Sequence, residues 1–290
     1  MISTGEIVLE RIEYALGERE VDNEGRLSQA AIEATGFKKR YEAAPGTGVF
    51  ELAMSAAAKI PADAIAGAGG VVAATFSYAD RFPSLAVRIG SALGMDPSAP
   101  MLDLQMACSA YPYALYVAGC LCAATGKKIL VVDGDVQTPL ARPGEGTLEL
   151  FSDAATATVV SVRSGGRSHF AFLSKYGREL SCPSAGPLSM DGFGVFSFVA
   201  AEVAPFLSRF AAEAGEIDRF VPHQANMYMV RRLAEDAGLA DKMLSSEGRF
   251  ANPGSASIPL TIAASGEKGR FLLAGFGAGL SAAAAAVTVS

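Results

Sequence analysis

The chain has 290 residues, half of them hydrophobic, enough for one large domain or two fused layers around a sizeable core. Its 24 Lys and Arg against 30 Asp and Glu leave a net charge of −6, with no block of like charge, which argues against nucleic acid as a partner. Four cysteines, at positions 108, 120, 122 and 182, show neither paired CxxC spacing nor the density of a disulfide scaffold. That usage fits a reducing compartment, and the cytoplasm is expected. Two histidines are too few for a three-histidine metal site, and no metal is expected.

In chain order, the N-terminal MISTGEIVLERIEYALGERE carries dispersed charge and no apolar core of signal-peptide type. Gly67 to Phe76 reads as a strand, Phe82 to Leu93 as a helix opened by Pro83, and Leu102 to Met106 as a second strand leading into Cys108. An apolar helix follows from Ser109 to Ala124, with Pro112 tolerated in its first turn, then a buried strand Ile129 to Asp133. The rhythm repeats with a strand at Ala155 to Val162, a long apolar helix from Gly192 to Ala214, a short strand Arg219 to Val221 and a helix Asn226 to Gly238. Two apolar runs, Phe271 to Gly275 and Ser281 to Val289, bracket a glycine turn at the end. Leu104 to Gly126 and Phe271 to Ser290 are long enough to cross a bilayer, but their Gly, Ala and Ser content reads instead as buried core, and no membrane span is expected. Alternating strands and helices indicate an α/β layered fold without a linker between its halves.

Three residues stand where chemistry could occur. Cys108 lies between a strand and an apolar helix, where free N–H groups and the helix dipole favour a thiolate. His223 ends a strand in Val-Pro-His-Gln-Ala-Asn just before a helix, where an acid or base can be held rigidly against a cavity. Asn252 lies in a polar turn, Phe-Ala-Asn-Pro-Gly-Ser, and can donate to a carbonyl oxygen. Taken singly these residues read as a structural cysteine, a core histidine and a turn asparagine; together they form a set for acyl transfer through a thiol nucleophile. The Gly277-Ala278-Gly279 turn is small enough for backbone to approach the same carbonyl.

Seven strings, in order and spacing, resemble the β-ketoacyl-ACP synthase III family of the thiolase superfamily. They are ATGFKKR, DRFPS, DLQMACSAYPYAL, FSDAATATVV, VPHQAN, FANPGSASIP and AGFGAG. The resemblance implies a five-layered α-β-α-β-α sandwich of two similar halves, residues 1–150 bearing the nucleophile and 151–290 bearing His and Asn. It also implies a homodimer, or a heteromer with a related subunit. Cys108 would take an acyl group from a thioester, and malonyl-ACP, or a β-keto partner, would then condense with it. His223 and Asn252 would hold the enolate oxygen, and the N–H groups of Cys108 and Ala278 would form the oxyanion hole. Phe82, reaching in from a second subunit, and Gly277 would border the substrate tunnel. Substrates would be acyl-ACP or acyl-CoA thioesters, with no cofactor and with acyl carrier protein as partner.

The departures shape that expectation. There is no Trp, and the family's adenine-holding positions fall on Ala30 and Ala34, which disfavours coenzyme A. Met227 and Tyr228 stand where an Arg often serves carrier docking, leaving Arg231 and Arg232 one turn later as substitutes. Ser109-Ala110-Tyr111 replaces Ala-Gly-Phe, Ala278 replaces a glycine, and the stretch from Gly165 to Asp191 is shortened. A specialised fatty-acid or polyketide pathway is therefore expected rather than housekeeping initiation. Transfer to an alcohol or amine without decarboxylation, and a non-catalytic partner subunit, are the alternatives.

Overall fold

The computed structural model describes residues 1–141, 147–183 and 186–290. It opens with β1, Ile2–Leu16, and a small ribbon of β2, Arg19–Asp22, and β3, Lys39–Glu42, with α1, Gln29–Thr35, between them. Helices α2, Val49–Ala57, and α3, Ala62–Ala66, lead to β4, Ala68–Ala74; α4, Leu85–Ala92, then leads to β5, Met101–Leu104. Helix α5, Ala110–Thr125, β6, Lys128–Asp135, and the 21-residue β7, Ala154–Ser174, follow.

Short strands β8, Leu180–Ser181, and β9, Ser189–Met190, precede a long helical stretch of α6, Gly192–Phe198, a π turn at Val199–Val203, and α7, Ala204–Glu213. Strand β10, Arg219–Pro222, α8, Met227–Asp236, α9, Ser257–Ser265, β11, Gly269–Gly277, and β12, Ser281–Val289, close the chain.

The strands form one hydrogen-bonded order, β10-β11-β12-β1-β7-β6-β4-β5, and β12 also pairs with the second half of β7. Alternation along the strands explains the layering. In β6, Ile129 and Val131 face α5 while Leu130 and Val132 face α2 and α4; in β12, Ala285 and Val287 face α5 and α9 while Ala284 and Ala286 face α7 and α8. Both faces of each leaf are thus covered, with α5 and α9 in the middle and the other long helices outside, giving five layers, α-β-α-β-α.

Helix α5 is apolar nearly all round because it is sandwiched between leaves, and Gly119 lets Ile7 approach it: an added Cβ would lie 2.3 Å from Ile7 Cδ1. This helix and the Gly192–Glu213 stretch are the two described helices long and apolar enough to span a membrane; here they pack as core and outer layers.

Several boundaries differ from the sequence reading for identifiable reasons. β1 gave no strand signal because Glu6, Glu10 and Glu13 break its apolar pattern; Glu10 is satisfied by Ser161 and Lys128 across the sheet. The strand expected at 155–162 continues to Ser174, where its second half joins the other leaf. α4 begins at Leu85 rather than Phe82, because Ser84 caps it and Asp103 accepts the Leu85 and Ala86 N–H groups, both at 2.8 Å. The expected helix from Gly192 contains a π turn, with Ala204 N–H bonding back to Val199, just before Pro205, which has no N–H to give.

Candidate active site

The chain leaves β5 at Leu104, and Cys108 sits in a 3-10 turn, Ala107–Ser109, ahead of α5, with Ala107 at φ 42°. The turn is tied on three sides. Ser109 Oγ donates to the Met106 carbonyl at 2.9 Å and lies 2.7 Å from Ser281 Oγ, and Tyr111 N–H donates to Ser255 Oγ at 2.7 Å. Beneath it passes β11, close enough that a Cβ on Gly275 would stand 2.7 Å from Ser109 Cα and 2.8 Å from the Cys108 carbonyl oxygen. At Gly277 a Cβ would come 3.4 Å from the Cys108 sulfur, and the backbone there has φ 146°.

The Cys108 thiol is buried, at 8 % exposure. The expectation of a thiolate is reversed in this resting arrangement. Burial, with the field of Asp135 and then Asp133 added to it, pushes the thiol up to about 12, and hydrogen bonds from the Ala278 and Cys108 backbone oppose this only partly. The Ala278 backbone thus lies close to the sulfur, beside the carbonyl of any acyl group carried there.

His223 follows β10, its N–H bonded to the Ala274 carbonyl at 2.7 Å. Nδ1 lies 2.9 Å from Ser257 Oγ, which also accepts the Gln224 N–H at 3.1 Å, and the ring meets Phe276 edge-on at 5.5 Å between centroids. Burial lowers its pKa to about 4; the Gly254 backbone favours the charged ring but offsets little. His223 is thus a neutral imidazole at ordinary pH.

Asn252 is held by its backbone: N–H to the Leu150 carbonyl at 3.0 Å, and carbonyl accepting from Ser152 N–H at 3.0 Å and Gln137 Nε2 at 2.8 Å. Its side-chain Oδ1 accepts the Gly254 N–H at 2.9 Å, while Nδ2 has only a 3.5 Å contact with the Ala225 carbonyl. The amide is so oriented that its N–H₂ is the group available to a ligand.

Cys108, His223 and Asn252 line one cavity of about 110 Å³, walled also by Phe151, Leu180 and Phe276. On the other side of the sulfur a second cavity of about 200 Å³ runs between Phe76, Met106, Phe151, Leu180 and Leu188, with Ala278 at its base. It shares Phe76, Gln105 and Cys182 with a more polar groove of about 790 Å³. The sulfur thus stands at the junction of two chambers. No cluster of metal-ligating side chains occurs among the described residues.

Of the residues singled out in the sequence, Gly277 borders the site. Phe82 does not: it is 85 % exposed and lines neither chamber of its own chain. Arg231 and Arg232 are exposed on α8 beside Tyr228, and Arg232 pairs with Asp236 at 3.0 Å. Sequence reasoning missed Ser257, Gln137 and the acids Asp133 and Asp135. Ser255 and Ser257, inside the quoted FANPGSASIP string, were the available signal; nothing local marked the others.

Comparison with known proteins agrees with the geometry. The chain matches 3-Oxoacyl-[acyl-carrier-protein (ACP)] synthase III over residues 102–176 and the C-terminal part of the same family over residues 207–289. It is 32% identical to a beta-ketoacyl-[acyl-carrier-protein] synthase III of Salmonella typhimurium over 86% of each chain. The crystal structure of a 3-oxoacyl-(acyl-carrier protein) synthase from Burkholderia xenovorans superposes with TM-score 0.92 at 27% identity, covering 100% of this chain and 95% of the other. A priming beta-ketosynthase of a polyketide biosynthetic pathway superposes with TM-score 0.86 at 26% identity, covering 99% and 97%.

Proposed function

The chain belongs to the 3-oxoacyl-[acyl-carrier-protein] synthase III family and is a condensing acyltransferase; from that premise we propose how its own residues divide the work. Cys108 Sγ attacks the carbonyl of a donor thioester, the carbon–sulfur bond to the donor breaks, and the thiol proton leaves with the departing sulfur. The acyl oxyanion that forms on the way is held by the Cys108 and Ala278 N–H groups. Malonyl thioester then enters the chamber of His223 and Asn252. As its carboxylate leaves as carbon dioxide, the electron pair moves to the thioester oxygen, which accepts hydrogen bonds from a His223 ring N–H and from Asn252 Nδ2. The enolate carbon attacks the acyl group, the carbon–sulfur bond to Cys108 breaks, and the departing thiolate takes a proton from solvent water.

A neutral His223 suits this role, since a hydrogen-bond donor stabilises the enolate without having to surrender a proton. The partner is acyl carrier protein, docking beside Arg231 and Arg232, and the pathway a specialised fatty-acid or polyketide one in the cytoplasm. Residues 1–150 and 151–290 act as two thiolase-like halves that meet at the sulfur, in a homodimer. The observation that carries the reading is the cavity lined jointly by Cys108, His223 and Asn252.

Intact-protein mass spectrometry tests it. Wild type incubated with acyl-ACP or acyl-CoA should gain the acyl mass, Cys108→Ala should not, and malonyl-ACP should discharge the adduct with release of carbon dioxide. An adduct that malonyl-ACP leaves untouched would instead mean transfer to an alcohol or amine, and no adduct with any donor would mean a non-catalytic subunit.

A further inference from the structure

Beside the nucleophile stands a side chain that the reaction above leaves without a task. Gln137 follows β6 at the head of the 3-10 turn Thr138–Leu140 and lines the 200 Å³ chamber together with Met106, Cys108 and Phe151. It is 2 % exposed, in a wall that is otherwise largely apolar. An aliphatic side chain of the same length would fill that wall with no amide to strip of water, so the amide calls for a role.

Its contacts point to one. Gln137 Nε2 donates to two carbonyls, that of Asn252 at 2.8 Å and that of Ser152 at 3.0 Å. The amide lies alongside the turn that carries Asn252: a Cβ on Gly254 would stand 3.8 Å from both Nε2 and Oε1. That turn needs holding. Ala251, immediately before Asn252, has φ 49°, a left-handed conformation that is costly for any residue with a side chain, so contacts on its neighbours must offset it. Two of these come from backbone, the Leu150 carbonyl accepting the Asn252 N–H and the Ser152 N–H donating to the Asn252 carbonyl, both at 3.0 Å; Gln137 adds the side-chain bond. Gln137 is itself anchored. Its N–H and that of Thr138 donate to Asp153 Oδ1 at 2.8 and 2.9 Å, and the Thr138 hydroxyl donates to Oδ2 at 2.5 Å. A tied loop thus reaches from the buried Asp153 to the backbone of the residue whose side-chain amide faces the ligand.

We infer that Gln137 is a positioning residue for the decarboxylation and condensation step: by holding the Asn252 carbonyl it fixes where Asn252 Nδ2 stands, given the role proposed above for that amide. Loading of Cys108 calls on the Cys108 and Ala278 N–H groups and not on Asn252, so loss of the clamp separates the two half-reactions. A displacement of the order of 1 Å in a group that must meet the transition state costs about a hundredfold in rate, so the clamp governs turnover more than binding.

The test follows the half-reactions separately on the full-length enzyme. Gln137→Met, close in volume but without a donor, should slow discharge of the Cys108 adduct by malonyl-ACP at least about tenfold, read as carbon dioxide released in a single turnover. Loading of Cys108 from acyl-ACP, read by intact mass, should stay within about twofold of wild type, as should KM for malonyl-ACP. Gln137→Met combined with Asn252→Ala should release carbon dioxide no more slowly than Asn252→Ala alone, since the glutamine acts only through that residue. Losses that multiply in the double variant would mark a merely structural part and overturn the inference, as would loading slowed as much as discharge. Should Gln137→Met not fold, Gln137→Asn decides: it keeps an amide in the wall but draws it back by one methylene from the Asn252 carbonyl, and discharge at the wild-type rate counts against the clamp. Wild-type enzyme that takes no acyl group, or whose adduct malonyl-ACP leaves untouched, would remove the functional reading and this inference together, whereas a wild type that completes both steps isolates the fate of Gln137.

Discussion

At His223, burial rather than contact sets the protonation state of the ring. With the ring near 4 when folded and near 6.5 when unfolded, the unfolded chain binds more protons between those values. The His223 contribution is therefore intact above pH 6.5 and is lost as pH falls toward 4, by up to about 3 kcal/mol. Urea unfolding at pH 7 and 4.5 should show wild type losing more stability than His223→Gln, the remaining acids being common to both; equal losses would contradict a neutral buried imidazole. For the same reason no rate transition should occur near pH 6.5 from this residue. Cys108 gives the complementary expectation. In free enzyme, iodoacetamide should label exposed Cys182 before Cys108, and Cys108 labelling should keep rising past pH 10, whereas a plateau by pH 8 would mean a preformed thiolate. Cys108, His223 and Asn252 were legible in the sequence because each sits in a distinctive local string. Ser257 and Gln137 were not, because what they do consists of contacts between elements far apart in the chain.

At the scale of elements, the sequence reading found the strands and helices whose apolar runs are continuous, β4, β6, α5 and β12 among them. It missed β1, where charge breaks the periodicity, and ended β7 at Val162, short of its glycine crossing. β1 carries Glu at three positions, and β7 runs through Ser164-Gly165-Gly166, a turn signal that here spans the passage from one leaf to the other. The closing glycine turn was found, but the demand that β11 places on its glycines appears only in three dimensions. Gly275 passes under the nucleophile turn against backbone atoms that cannot rotate away. Gly275→Ala should therefore cost about 1–3 kcal/mol and lift Cys108 out of register with Ala278. A thermal midpoint several degrees lower, together with slower Cys108 acylation, is expected. A variant with wild-type midpoint and rate would show that the turn yields more easily than its contacts imply.

The whole molecule leaves its two sheet edges in different conditions. Beyond β10, the segment after α8 covers the edge: Leu244 N–H donates to the Phe220 carbonyl at 2.7 Å. At the other end β5 pairs only with β4 and has no outer neighbour among the described residues. Beside it stands Phe82, 85 % exposed, and there the 200 Å³ chamber opens into the 790 Å³ groove. An unpaired edge and an exposed aromatic are costly in a free monomer, and a second copy laid along β5 would cover both. Sedimentation equilibrium should then give about twice 29.9 kDa. If each Phe82 enters the partner's chamber, it forms the far wall for the acyl chain. Phe82→Ala should leave the dimer intact and move the preferred donor toward longer chains, read as Cys108 adducts formed from a mixed acyl-ACP series. A fully active monomer would remove the second copy from the site, and an unchanged chain profile would leave the chamber to be closed by residues of its own chain, with Leu188 and Cys182 the nearest candidates on its wall.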